Sequence, residues 1–163
     1  MKSLALSLAL SLSALPLAAQ EVASTETPAA TVGQELTAVE RWQADPAQVF
    51  DAADIELDDF LFLARPVVVF ADTPNDPRYI RQMEYLLERV DDLVYRDVVI
   101  VADTDPGGGS DARTRLRPRG FMLVVMSEDG RVAQRKPEPW DVREIGRAID
   151  KMPLRQRELR EGR

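Results

Sequence analysis

From Leu57 onward the apolar residues fall into two rhythms, short unbroken runs and stretches that recur every three or four positions. Val67-Val68-Val69-Phe70 and Val98-Val99-Ile100-Val101 are unbroken and β-branched, the pattern of strands buried on both faces. Between them Asp76-Pro77 offers a helix N-cap followed by proline at the first helical position. Tyr79, Ile80, Met83, Leu86, Leu87, Val90, Leu93 and Val94 then recur at helical spacing and predict one long helix. Strand, helix, strand makes a βαβ unit, so the two strands should be parallel and the crossover right-handed. Ahead of this unit, Leu57, Phe60, Leu61 and Leu63 have helical spacing, and Arg65-Pro66 ends that turn.

Downstream come a glycine-rich loop, Pro106 to Ser110, and a short basic segment, Asp111 to Arg119. Phe121 to Met126 predicts a third strand, Asp129-Gly130 a hairpin turn, and Val132 to Lys136 a fourth strand. Asp141 with Glu144 three residues on is a capping box, opening a helix whose Val142, Ile145, Ala148 and Ile149 face the core. Pro153 stops that helix, and the basic tail beyond it is expected to be a short frayed one. The order predicts an α/β, thioredoxin-like domain over residues 55–160, with a central mixed sheet of about four strands. A flavodoxin-like sheet is the alternative, but the Asp-Gly hairpin argues for antiparallel final strands.

The first 54 residues follow neither rhythm. Lys2, an apolar run from Leu4 to Leu17 and small residues at Ala18 and Ala19 have the grammar of a secretory signal peptide over residues 1–20. The run is shorter than a membrane span and rich in serine, so cleavage is expected within Ala18 to Gln20, with no stable span afterwards. An uncleaved membrane anchor is the alternative. No cysteine follows the run to carry a lipid. Residues 21–54 read as an acidic tether, disordered or loosely docked: Glu21 to Asp59 holds ten acidic residues and only Arg41 against them. Trp42, Val49 and Phe50 are its only anchors.

Composition narrows the chemistry more than it identifies it. With no Cys and no His, the chain excludes thiol–disulfide exchange, Cys and Ser–His nucleophile arrangements, and zinc sites built on those ligands. A net charge of −7 disfavours nucleic acid, whose phosphates are held by Lys and Arg. Catalysis, if any, falls to Asp, Glu, Ser, Thr, Tyr, Lys or backbone donors.

Three stretches carry a family resemblance: Arg65-Pro-Val-Val-Val-Phe-Ala71, then Leu116 to Val124 with Glu128-Asp-Gly130, and Ile149-Asp-Lys-Met-Pro-Leu-Arg-Gln156 with Glu158. Together they resemble the exported, thioredoxin-like domain of unknown function numbered 4174. That family is related in turn to extracellular modules of sushi-repeat and coiled-coil-domain-containing matrix proteins. The resemblance implies a fold and an exported address, periplasmic or extracellular, and no reaction. Here Ser127-Glu128 stand where the family often has Gly-Lys, so a role for a hairpin lysine does not carry over.

In redox-active thioredoxin-like proteins the dithiol follows the first βαβ strand; here that place reads Ala71-Asp72-Thr73-Pro74-Asn75-Asp76-Pro77. The two strands end alike, as Ala71-Asp72-Thr73 and Ala102-Asp103-Thr104, so Asp72 and Asp103 should emerge at one sheet edge, the edge where α/β folds bind ligands. Asp76 and Asp105 join them as a candidate ligand or metal edge, with Asp111 nearby, and such oxygen ligands would suit Ca²⁺ or Mg²⁺. The competing reading is turns and caps, with Thr73 and Asp76 closing the helix start. Arg113, Arg115, Arg117 and Arg119 alternate and form a candidate anion-binding face, against a reading as a solvated face balancing the acidic half. Pro118 lies near the place of a thioredoxin-type cis-proline, and Trp140 reads as an apolar lid on the last helix. The expectation is a monomeric, non-catalytic binding module whose partner is a protein or a small anionic ligand. An enzyme or sensor using the Asp-rich edge is the rival.

Overall fold

The structure, a computed structural model, describes residues 35–162. The expected signal peptide and the expected tether up to residue 34 lie outside the described residues. Five strands form one sheet: β1 (Val49–Asp51), β2 (Arg65–Phe70), β3 (Val98–Asp103), β4 (Met122–Met126) and β5 (Val132–Lys136), in the order β1-β3-β2-β4-β5. Strands β1 and β2 run parallel to β3, whereas β4 is antiparallel to both β2 and β5. A βαβ unit followed by an antiparallel hairpin and a closing helix is the thioredoxin-like arrangement expected from the sequence, with one strand more.

Side chains alternate between faces along a strand, so the unbroken apolar run of β2 supplies two cores. Val68 and Phe70 pack with Trp42, Phe50, Phe60, Leu116 and Val124 on one face. Val67 and Val69 pack with Leu86, Leu93, Phe121, Ile145 and Ile149 on the other. Helices α2 (Pro77–Glu88), α3 (Val90–Val94) and α5 (Val142–Asp150) cover the second face; α1 (Ala38–Ala44) and α4 (Asp111–Leu116) belong to the first.

Residues 37–54 depart from the expected disordered tether. Thr37 caps α1 through Glu40 N–H, and the Glu40 carboxylate returns to Thr37 N–H at 2.8 Å, a capping box. Trp42 sits edge-on to Phe60 with ring centroids 6.3 Å apart and donates its indole N–H to the Val98 carbonyl at 3.3 Å. Phe50 follows in β1, with the Arg41 guanidinium 5.1 Å from its ring centre. Ala38, Trp42, Phe50, Ala52 and Ile55 are all buried. Acidic residues dominate the average here, but Ala38, Trp42, Phe50 and Ala52 join the first core, and that spacing rather than the mean hydropathy decides the outcome.

Other boundaries also move. The long helix breaks at Arg89, whose backbone (φ −131°, ψ 38°) leaves the helical region between α2 and α3. Residues Leu57–Phe60 form a 3₁₀ turn, and the basic segment opens as the helix α4, which ends at Leu116. Asp141 caps α5 through Arg143 N–H, but Glu144 pairs with Arg147 instead of completing a box. α5 ends at Asp150, ahead of Pro153 as expected, and Pro153 opens the tail helix, α6 (Pro153–Glu161). The hairpin turn holds Gly130 at φ +77°, with Ser127 and Arg131 hydrogen-bonded across it. Trp140 packs against the second core, its backbone clamped by the buried Gln82 amide through bonds of 2.7 and 3.0 Å. All described peptide bonds are trans, that before Pro118 included.

Candidate functional site

Register places Phe70 of β2 beside Asp103 of β3, so Asp72 and Asp103 do leave the sheet at one edge. Their environments differ sharply: the Asp72 side chain is 62% exposed and that of Asp103 only 4%. Arg113 reaches back from α4 to give Asp103 Oδ1 two hydrogen bonds, from Nη2 at 2.6 Å and Nε at 3.0 Å. Ser110, the N-cap of α4, donates its hydroxyl to Asp103 Oδ2 at 2.6 Å. Arg113 also bonds the Ala71 carbonyl at 3.0 Å, lies 5.5 Å over the Phe70 ring, and comes within 4.0 Å of Asp72. The charge expected to compensate two neighbouring carboxylates is therefore a guanidinium of the chain itself.

The other acidic candidates are held by local backbone. Asp76 caps α2 through Arg78 N–H at 2.8 Å and pairs with the Arg78 guanidinium, and that hydrogen bond holds its carboxyl below the usual range. Asp105 accepts from Gly107 N–H at 2.9 Å within its own turn. Asp111 accepts from Leu57 N–H at 3.1 Å. Asp72, Asp76, Asp103 and Asp105 are absent from the acidic groups whose ligand atoms converge within 4.8 Å among the described residues.

The four arginines do not share a face. In an extended segment, alternate residues line one side; in a helix two residues turn the chain by about 200°. Arg113 thus turns inward to Asp103, Arg115 pairs with Asp58, and Arg117 sits in the left-handed C-cap of α4 (φ 48°). Arg119 is exposed in the loop before β4.

A different cluster lies at the opposite end of β2. Arg65, the first residue of that strand, is buried; its Nη1 donates to the Arg96 carbonyl at 2.8 Å. Its Nη2 contacts Glu128 of the hairpin at 2.7 Å and Glu158 of α6 at 2.5 Å. Arg155, 2% exposed, pairs with Glu158 at 3.0 Å, donates to the Tyr95 carbonyl at 3.2 Å and stacks 5.1 Å over the Tyr95 ring. Asp97, between α3 and β3, is 3.6 Å from Arg65 and 4.0 Å from Arg155. Oxygens of Asp97, Glu128 and Glu158 converge within 4.8 Å and, with Arg155, Phe62 and Leu63, line a basin of about 230 Å³.

Burial pushes the Glu128 carboxyl above its ordinary range, aided by its neighbours Glu158 and Asp97 and opposed by Arg65. Burial acts upward on Glu158 too, but the hydrogen bonds and charges of Arg155 and Arg65 outweigh it and hold that carboxyl low. The pair therefore keeps one proton longer than isolated carboxyls would. Phe62 stands at the rim, 70% exposed, at a backbone φ of +59° rare for a bulky side chain, its N–H bonded to the Glu128 carbonyl at 2.8 Å.

Periodicity does not reveal this cluster, because Arg65 and Glu158 are 93 residues apart. One signal did exist. Arg65, Glu128, Arg155 and Glu158 all belong to the three stretches that carry the family resemblance, and they meet in space.

Residues 56–158 match the family described as a domain of unknown function, DUF4174. No curated protein matches the chain. Among solved structures the chain is similar to a thioredoxin peroxidase I of Plasmodium yoelii, at 17% identity over 66% of this chain and 81% of that one, with a TM-score of 0.44.

Proposed function

The chain belongs to the DUF4174 family, and from that premise we propose that it is a non-catalytic, thioredoxin-like binding module of the cell envelope, exported by its leader and docking a protein partner. The relation to extracellular matrix modules is part of the same proposal. One observation carries the reading: the edge where thioredoxin-like proteins react holds no cysteine and is closed by Arg113 on Asp103, while the far end of β2 keeps an open basin under an exposed phenylalanine. An exposed aromatic side chain beside a basin offers a partner large apolar area to bury. Among the described residues no helix is long and apolar enough to cross a membrane.

The test is photo-crosslinking in exporting cells, with a photoreactive phenylalanine analogue placed singly at Phe62 or at Asp72. A discrete adduct from position 62 is expected, with export seen as loss of the leader by intact mass. Adducts from position 72 alone would return the functional edge to the aspartates, and a chain recovered still starting at Met1 would sink the exported address.

A further inference from the structure

Resting on the binding-module reading, we propose that the basin beneath Phe62 takes a cationic side chain, Arg or Lys, from a partner polypeptide whose adjacent apolar residue lies on Phe62 and Leu63. Inside the basin two guanidinium charges, Arg65 and Arg155, face three carboxyl groups, Asp97, Glu128 and Glu158. Arg65 is buried behind the lining and Arg155 forms part of the wall at 2% exposure, whereas the Asp97 side chain is 50% exposed. The surface offered to a partner is thus negative, with one formal charge in excess. Phe62 and Leu63 add an exposed apolar lip, which suits the aliphatic stem of a long cationic side chain. The chain's net charge of −7 steers a basic partner rather than an acidic one.

A monovalent cation matches the excess; a divalent ion overshoots it and meets Arg65, which already holds an oxygen of each glutamate at 2.5–2.7 Å. Without a partner, Glu128 is the carboxyl that takes up a proton most readily as pH falls. The groups facing Glu128 are Arg65 from β2, Glu158 and Arg155 from α6, and Asp97 before β3; the Phe62–Leu63 segment brings no charge. Burial raises the Glu128 carboxyl, so that proton is held to a higher pH than on an isolated carboxyl. A docked guanidinium or ammonium displaces the proton to solvent, and binding tightens as pH rises through the Glu128 titration.

The experiment selects displayed random short peptides on the full chain and titrates the winners against wild type, Phe62→Ser, Asp97→Asn and Glu128→Gln. Peptides pairing Arg or Lys with an apolar neighbour are expected, bound about tenfold more weakly by Phe62→Ser and Asp97→Asn. Wild type should bind them more tightly at about pH 7.5 than at about pH 5, and Glu128→Gln should lose most of that dependence. Peptides that depend on Phe62 but carry no basic residue would overturn the cationic pocket while leaving the binding module standing. Failure to select any Phe62-dependent peptide would overturn both.

Discussion

Arg113 and Asp103 form a nearly buried pair, Nη2 to Oδ1 at 2.6 Å, that joins helix α4 to the end of β3. Asp103 is 4% exposed, so its charge is tolerable only with its donors in place. Arg113→Met removes two of them and leaves the carboxylate facing Phe70. Such an orphaned charge costs about 3–5 kcal/mol. Urea denaturation should show the midpoint falling at unchanged slope, and Arg113→Lys should recover only part, since an ammonium cannot reproduce the forked contact. A loss below about 0.5 kcal/mol would mean that the pair is solvated.

The same geometry decides the metal question at this edge. Both Asp103 oxygens already accept from Arg113 and Ser110, and Asp76 and Asp105 are engaged by neighbouring backbone N–H groups. A cation would have to displace Arg113 before gaining ligands. Millimolar Ca²⁺ or Mg²⁺ should leave the melting temperature unchanged at constant ionic strength. A rise that Asp72→Asn abolishes would restore the divalent-ion reading, because a ligand bound only by the native state stabilises by mass action.

Residues 37–54 are part of the fold, and Trp42 tests that directly. Its ring packs on Phe60 and its indole N–H bonds Val98 at the start of β3. Trp42→Ala should cost about 3–5 kcal/mol, the range for large aromatic truncations in a core. A residue on a disordered tether would cost nothing measurable.

The contrast between Trp42 and Val68 shows what the sequence makes legible. Val68 sits in a continuous apolar run, and such a run needs no partner information to be read as a buried strand. Trp42 lies alone among acids, and only the sheet it lands on makes its segment regular. The aspartate edge was legible as a juxtaposition, since parallel strands ending alike must end together. Arg113 as the compensating charge was not, because the alternation of arginines carries no sign of the short helix that turns Arg113 alone toward Asp103. The basin at Arg65 was hidden for a related reason: its residues come from four separate places along the chain, and pairing between them depends on packing rather than local pattern.

The Glu128–Glu158 pair makes the sharpest solution prediction, and its sign follows from which state binds more protons. Glu128 is raised in the folded chain, so its contribution is fully present below the unfolded value of 4.5 and is lost as pH rises through its folded value. Glu158 is lowered, so its contribution is present above 4.5 and is lost as pH falls through its folded value. The pair is therefore most stabilising between the two folded values, where one proton is held and Arg65 faces a single carboxylate charge from it. Glu128→Gln fixes the neutral form at that position. Unfolding free energies measured from mildly acidic to neutral pH should decline for wild type relative to Glu128→Gln, with the difference opening above 4.5 as Glu128 ionises. Glu158→Gln should instead be less stable than wild type throughout that range, because Arg65 and Arg155 lose the anion they share, with the gap closing only below 4.5. Parallel pH profiles for wild type and Glu128→Gln would show that the hairpin carboxyl titrates as an ordinary exposed glutamate and that the shared proton does not exist.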